Sequence, residues 1–473
     1  MSFTRYLSER EIEARRPEPP PAPGVSPLER ARRVAEQAGY ASSNQQSGTR
    51  WPIGCVALEI TQRCNLDCTL CYLSDSSEAV HDIPLDEIFR RIEMIRLRYG
   101  RNTDVQVTGG EPSLRDRSEL FEIVRRVRSA GMRPTLMTNG IRATRDLLAD
   151  LAASGLEDVA FHVDTTQERE GYRSESDLNE LRRKYIYAAD GLPLSVMFNT
   201  TVHDGNFEEI PELARFFRAH AGVVRTASFQ LQAETGRGVQ GKRSSLITLE
   251  SVARQIERGA GTTINFAASL IGHPACNRYG LCLEANGNLY DALDDARFVG
   301  RAQAATAELV LHRNDPIRTA RGFLRWLAVH PEHIGPALRW ALDKAWRMKR
   351  DLLAARGRVR TLSFFLHNFM DARTLDPDRI DACVFMTMTR DGPVSMCLHN
   401  AKRESFILQP IRFYASGGPR YWQPLTGTIT ESDRAPEVAP ETQPLKRLKG
   451  RIRRKALGLR RRNGRAAGVL PEN

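Results

Sequence analysis

Between Cys55 and about Arg258, short apolar runs alternate with amphipathic stretches six times, and this alternation constrains the fold more than any other feature of the 473-residue chain. Cys55-Val-Ala-Leu-Glu-Ile-Thr61 reads as a buried strand. From Pro84 to Tyr99, Leu85, Ile88, Phe89, Ile92 and Ile95 recur at helical spacing. The later strands are expected at Val105–Thr108, Pro134–Met137, Val159–Val163, Leu194–Val202 and Ala227–Leu231. Helices are expected at Arg117–Ser129, Thr144–Ala153, Ser176–Ala188, Phe207–His220 and Thr248–Arg258. Strands that alternate with helices pair in parallel and carry the helices outside, so the expected class is α/β. In parallel α/β folds functional side chains gather where strands end and loops begin.

The loop after the first strand holds Cys64, Cys68 and Cys71, spaced C-x3-C-x2-C and followed at once by Tyr72. Three thiolates on one loop can hold three irons of a [4Fe–4S] cluster and leave the fourth iron open to a ligand. Three buried structural cysteines, or a zinc site short of one ligand, are the alternatives. Neither requires Gly109-Gly110-Glu111-Pro112, which ends the second strand about forty residues later. From Cys55 to Glu234 the chain resembles the radical S-adenosylmethionine (SAM) superfamily.

The resemblance implies a partial (β/α)6 barrel in which SAM chelates the open iron. One electron then splits the sulfonium into methionine and a 5′-deoxyadenosyl radical, chemistry that side-chain acids and bases cannot supply. It places Gly109, Gly110, Glu111 and Pro112 at the methionine end of SAM, with Tyr72 and Asn139 also at the site. His162 and Asp164 end the fourth strand toward the ribose, Asn199 ends the fifth toward the ribose or the SAM carboxylate, and Gln232 and Glu234 line the adenine side. It also implies a reductant such as ferredoxin or flavodoxin. Cys55, set among apolar residues, reads as a small buried hydrophobe.

Four further cysteines, Cys276, Cys282, Cys383 and Cys397, lie beyond the barrel in turn-rich sequence. Four thiolates close a [4Fe–4S] cluster, and an auxiliary cluster is expected there. Zinc suits the same set, and four unrelated thiols remain a third reading. His273 and His399 flank the pairs.

The division expected is a Pro-rich, poorly ordered segment at 1–50, a core barrel at 51–260, an extension at 261–424 with a helical insertion at 315–357, and a polar, basic tail at 425–473. Of a net charge of +12, the stretch Lys446–Arg465 supplies 11 and contains no acid, which leaves 12 − 11 = +1 for the rest. The eight cysteines are too few for a disulfide scaffold and suit metal ligation in a reducing cytoplasm. No apolar run long enough to span a membrane appears, nor a signal-peptide h-region.

The stretches Phe365–Ala372, Asp378–Cys383 and Asp391–Asn400 resemble the C-terminal half of archaeal tetraether lipid synthases and related pterin-modifying radical methyltransferases. The resemblance implies a lipid or other hydrophobic substrate and possible alkyl carbon–carbon coupling, with pterin modification or peptide maturation as alternatives. The archaeal enzymes carry cysteines before the barrel, and this chain has none before Cys55. Trp326, Trp340 and Trp346 share a helical stretch with Arg325, Arg339, Arg347, Lys349 and Arg350, which suits a lipid interface as well as packing on the barrel. The 446–465 run suits peripheral contact with an anionic membrane. Nucleic acid is not expected as a partner.

Overall fold

Capped helices and alternating strands take turns from Cys55 onward in the computed structural model, which describes residues 5–238, 243–311, 315–415 and 418–434. Two helices come first, α1 (Glu9–Ala14) and α2 (Pro27–Gln37). The alternation is β1 (Cys55–Thr61), α3 (Leu85–Tyr99), β2 (Asp104–Gly109), α4 (Arg117–Ser129), β3 (Arg133–Thr138), α5 (Arg145–Ala153), β4 (Asp158–His162), α6 (Glu175–Ala189), β5 (Ser195–Val202), α7 (Ile210–Ala219), β6 (Val224–Leu231) and α8 (Leu249–Ala260). Side-chain caps fix the helix starts. Asp116 accepts from Ser118 and Glu119 N–H, Thr144 from Leu147 N–H and Ser174 from Asp177 N–H.

β1 to β6 pair in parallel and in sequence order, as the alternation requires. Period-two alternation then separates two environments. Val56, Leu58, Ile60, Val105, Val107, Phe161 and Phe198 belong to the main apolar cluster with residues of the surrounding helices. Phe198, for example, stacks on Phe217 of α7 at 5.5 Å. The opposite face carries Glu59, Gln106, Thr108, His162, Asn199 and Gln230, so the concave side of the sheet is polar.

The region after α8 does more than extend this core. β7 (Asn277–Ala285) and β8 (Asn288–Asp291) form a hairpin, followed by α9 (Ala296–Ala305), α10 (Pro316–Val329) and α11 (Ile334–Ala354). Then β9 (Arg360–Asn368) joins β6 in parallel. After α12 (Pro377–Asp381), β10 (Phe385–Met388) joins β1 in parallel at the other end of the sheet. The six expected parallel strands thus become eight. No backbone pairing links β9 to β10 among the described residues, and the sheet is an open ladder. Side chains meet across that gap, with Phe385 at 5.8 Å from Phe365 and 4.6 Å from His367, ring centre to ring centre. β11 (Pro393–Ser395) flanks β10, α13 (Met396–Ala401) and α14 (Arg403–Ile407) follow, and β12 (Ile411–Ala415), β13 (Gly418–Trp422) and β14 (Ile429–Thr430) form a separate small sheet.

Residues 5–50, expected to be poorly ordered, are instead tied down. Leu7 N–H donates to Leu375 O, Glu18 N–H to Pro393 O, and Ile12 packs in an apolar cluster with Cys397 and Leu398. Buried apolar anchors on the C-terminal elements offset the ordering entropy that the proline count alone would suggest is lost. The basic run at 446–465 lies outside the described residues.

Candidate active site

The cysteine loop leaves the C-terminal end of β1 and is held on three sides. Gly110 N–H donates to Thr61 O at 2.9 Å and Glu111 N–H to Arg63 O at 2.8 Å, so the end of β2 grips the loop's first residues. That grip explains both glycines. Gly109 has φ +147°, and a Cβ on it would lie 1.9 Å from Thr61 O, while one on Gly110 would lie 2.2 Å from Arg63 O. This close approach is to the loop's own backbone; the approach to the methionine end of SAM is what the resemblance implies for the same pair. Tyr72 donates to Gly109 O at 2.5 Å and returns the loop to the same turn.

Glu111 is fully buried and its carboxylate is fully used. It accepts from Ser113 N–H and Oγ, from Thr138 Oγ1 at 2.8 Å and from Asn139 N–H at 2.7 Å. Pro112 follows it in a short 3-10 turn. One carboxylate therefore welds the turn after β2 to the turn after β3. Asn139 passes the restraint on, since its Nδ2 donates to Asn65 Oδ1 inside the cysteine loop at 2.7 Å.

The end of β4 supplies the third hold. Thr69 N–H donates to Thr166 O at 2.8 Å, and Asp164 accepts from Thr166 N–H and from Thr201 N–H. His162 Nε2 lies 2.7 Å from Asp164 Oδ2. Burial opposes charge on the imidazole, but Asp164 outweighs it and holds His162 above its usual range. Burial likewise opposes the Asp164 carboxylate, and His162 with the hydrogen bonds from Thr166 and Thr201 holds it well below the usual range. Asn199, level with His162 on β5, is 2% exposed, and its Nδ2 has no hydrogen-bond partner. A buried donor on the concave face without an acceptor is the vacancy a polar ligand would satisfy. Gln232 and Glu234 sit in the loop after β6. Glu234 N–H donates to Asp371 Oδ1 at 2.6 Å, which ties that loop to the one after β9.

Three positioning residues carried no sequence motif. Gly236 and Arg237 lie against the cysteine loop from the β6 side. Gly236 has φ +55°, and a Cβ there would lie 2.3 Å from the carbonyl of Tyr72. Arg237 N–H donates to Leu73 O, and its guanidinium hydrogen-bonds Cys71 and pairs with Glu78 at 3.1 Å. Arg403, from α14, pairs with Glu59 at 2.8 Å and lies 4.7 Å above the Tyr72 ring. Arg237 follows β6 without a motif and Arg403 comes from a helix far along the chain, so only the folded chain brings them here.

The thiols themselves fit an iron–sulfur cluster. Cys64 and Cys71 are buried and Cys68 half-buried. Burial pushes the Cys64 thiol up to about 12, opposed by the Leu66 N–H aimed at its sulfur. Burial raises Cys68, and Cys71 and Cys64 raise it further, so the three are close enough to resist ionising together. Donors already aimed at the sulfurs and a shared need for a cation are what three thiolate ligands require. No three His, Cys, Asp or Glu side chains among the described residues come close enough to hold a single ion. A cube sets each thiolate on a different iron.

Comparison with known proteins agrees. The description "Radical SAM superfamily" matches residues 58–217. The chain carries a radical SAM domain. Curated relatives include the 7,8-dihydro-6-hydroxymethylpterin dimethyltransferase of Methanocaldococcus jannaschii, 28% identical over 38% of this chain and 36% of that protein. They also include a probable GTP 3′,8-cyclase of Pyrococcus abyssi, 31% identical over 40% of this chain and 60% of that one. A third is the PqqA peptide cyclase of Xanthomonas axonopodis pv. citri, 31% identical over 33% and 42%. The chain thus spans 36% to 60% of the length of these relatives. A crystal structure of Streptococcus suis SuiB bound to S-adenosylmethionine aligns over 43% of this chain and 45% of that one, at 17% identity and a TM-score of 0.35, a likeness too shallow to carry any assignment.

Beyond the radical SAM domain, three of the four remaining expected ligands converge. Cys276, Cys383 and Cys397 line one enclosed pocket at the β9–β10 gap, with His367, Phe385 and Arg379. Arg379 Nε lies 3.2 Å from Cys276 Sγ, and Met370 N–H approaches Cys397 Sγ at 3.5 Å. Burial raises all three thiols, Cys383 to about 11 and Cys397 to about 12. Cys282 is elsewhere. It is fully buried in β7 within the main apolar cluster, and burial raises its thiol. It stands six residues from Cys276 in an extended strand, so one loop cannot present both. His273 lines the pocket, whereas His399 is buried against Phe406. Cys55, read as a small buried hydrophobe, is buried in β1, with burial first and then Asp104 and Cys383 raising its thiol.

Proposed function

We propose that this chain is a radical SAM enzyme that activates a C–H bond of a hydrophobic, lipid-like substrate. The observation that carries the radical chemistry is the clamping of one three-thiol loop by the ends of β2, β3, β4 and β6 around the unpartnered Asn199 amide. Cys64, Cys68 and Cys71 would hold a [4Fe–4S] cluster, which would supply the one-electron chemistry for reductive cleavage of SAM. The chain's part is placement. Glu111 and Asn139 hold the loop, Asp164 fixes His162, and Asn199 offers a donor to a polar ligand. Cys276, Cys383 and Cys397 are proposed to hold an auxiliary cluster without Cys282.

The substrate reading rests on how the concave wall is built. It is polar along β2 to β6, and aromatic at the gap, where Phe365, His367, Phe369 and Phe385 pack together. An alkyl chain finds apolar contact there and not among the strand-end polar groups. Alkyl carbon–carbon coupling is the reaction class the C-terminal resemblance favours, a flavodoxin or ferredoxin the reductant, and the cytoplasmic membrane face the location. The test compares lipid extracts of cells with and without the gene by mass spectrometry. Unchanged lipids would remove the lipid substrate. The pterin dimethyltransferase relative favours a second reading, modification of a pterin-like molecule, and isotope-labelled methyl groups in a soluble product would select it.

A further inference from the structure

The helices α10 and α11 stand apart from the active site and have two unlike faces. One face of α11 docks onto the β7–β8 hairpin and its flank. Trp340 Nε1 donates to Ala292 O and stacks on Phe298, and Met348 is buried. Lys344 Nζ pairs with Asp294 at 2.5 Å. Asp351 accepts from Asn286, Asn288 and Tyr290. The opposite face is open. Leu338 is 55% exposed, Leu342 60%, Trp346 71% and Leu353 81%. In α10 no described side chain is buried, and Leu324 is 64% exposed. Large side chains this exposed, and sharing a helix face, mark a surface that something covers.

Charge decides what covers it. α10 contains Arg318, Arg321 and Arg325 and no acid. The open side of α11 adds Arg339, Lys349 and Arg350, and Lys349 Nζ lies 3.6 Å above the Trp346 ring. Both acids of α11 are engaged, Asp351 on the docked side and Asp343 with Arg347. The chain's own 446–465 run, with 11 Lys or Arg and no acid, is repelled by this arm and is a poor cover for it. A second copy of the arm brings the same cations together and is disfavoured likewise. The occupant is anionic. A nucleic acid would satisfy the cations and leave Leu338, Leu342 and Leu353 in water, whereas the surface of an anionic bilayer satisfies both.

We propose that α10 and α11 form a membrane-docking arm that lies in the headgroup region of an anionic bilayer. No helix among the described residues is long and apolar enough to cross one, so the arm rests on the surface. This deepens the lipid-substrate reading by naming the surface that would bring the enzyme to its substrate, and it can hold or fail apart from that reading.

The experiment is co-sedimentation of the full chain with phosphatidylglycerol/phosphatidylcholine vesicles and with phosphatidylcholine vesicles. Wild type is expected to partition onto the anionic vesicles, and the L342Q/W346Q/L353Q variant to bind them at least tenfold more weakly. These three side chains lie outside the SAM-cleaving machinery, so 5′-deoxyadenosine formation should stay unchanged. Brominated lipid should quench the fluorescence of wild type, and the Trp346→Phe variant should lose a measurable share of that quenching, which tests the arm even if the triple variant folds poorly. Equal vesicle binding by wild type and the triple variant would overturn the proposal, since the tail would then be acting alone. Preference for RNA over vesicles, or concentration-dependent dimerisation lost in the triple variant, would overturn it too. Vesicle binding with unchanged cellular lipids would remove the substrate reading and leave the arm.

Discussion

The two thiol groups of this chain are assembled in opposite ways. Cys64, Cys68 and Cys71 lie on one loop, and the fold has only to hold that loop still. Cys276, Cys383 and Cys397 come from three separate segments, before β7, before β10 and in α13, and meet only because β9 and β10 join opposite ends of one sheet. The first group is local in sequence and clamped by backbone. The second is non-local, and its geometry follows from the sheet curving until its outer parallel strands face each other. Damage to the fold should therefore reach the second group first, because its ligands share no loop that would hold them together.

The sharpest way to break the comparison is to remove one group and read the other. Cys68→Ala is expected to abolish 5′-deoxyadenosine production under dithionite, with anaerobically reconstituted protein losing about four irons per chain. Product made at the wild-type rate would refute the loop assignment. Replacing Cys276, Cys383 and Cys397 together should also remove about four irons but leave SAM cleavage measurable. Cys282→Ala should leave the iron count unchanged. If Cys282→Ala lost iron as the triple variant does, the separation seen in the fold would be wrong.

Local patterns made the first group legible, and non-local contacts hid much of the second. The six alternations gave β1 to β6 in order, because parallel strands and amphipathic helices write different periods. The glycine pair could be placed but its reason could not, because Thr61 and Arg63 face it only after β1 and β2 pair. β9 and β10 were hidden since a strand completing a sheet from far along the chain has no helical partner to announce it. Cys282 was grouped with Cys276 by nearness in sequence, but residues along an extended strand separate quickly. Arg237 and Arg403 had no motif to mark them, as each acts through contacts made only by folding.

Arg237 sharpens the account of the local group. Its guanidinium is 5% exposed and pairs with Glu78, 2% exposed, while hydrogen-bonding Cys71. Arg237→Met leaves a buried carboxylate without that cation, and a loss of about 3–5 kcal/mol is expected in urea unfolding. It also removes a hydrogen bond to a ligand sulfur, which should lower the reduction potential of the SAM-binding cluster. An anaerobic redox titration followed by electron paramagnetic resonance reads that shift. A potential unchanged in the variant would make Arg237 a purely structural clamp.

The smallest effect tests whether the two groups are mechanically joined. α13 carries Cys397, and the next helix carries Arg403, which pairs with Glu59 on β1 and covers Tyr72 beside the cysteine loop. Burial alone would raise the Glu59 carboxyl, but Arg403, His399 and the hydrogen bonds from Arg403 and Gln62 bring it down to about 2. A carboxyl depressed in the folded state stabilises the fold above its unfolded value of 4.5 and loses that contribution as pH falls toward 2. The contribution is about 3 kcal/mol, and Glu59→Gln should lack this part of the acid dependence. Urea unfolding from pH 6 to pH 3 is expected to show a steeper loss for wild type than for the variant. If the bridge joins the groups, iron should leave the two sites in parallel in wild type as pH falls. Loss from the Cys276 group alone, with the cysteine loop intact, would show that α13 and α14 move independently and that Arg403 serves only the first site.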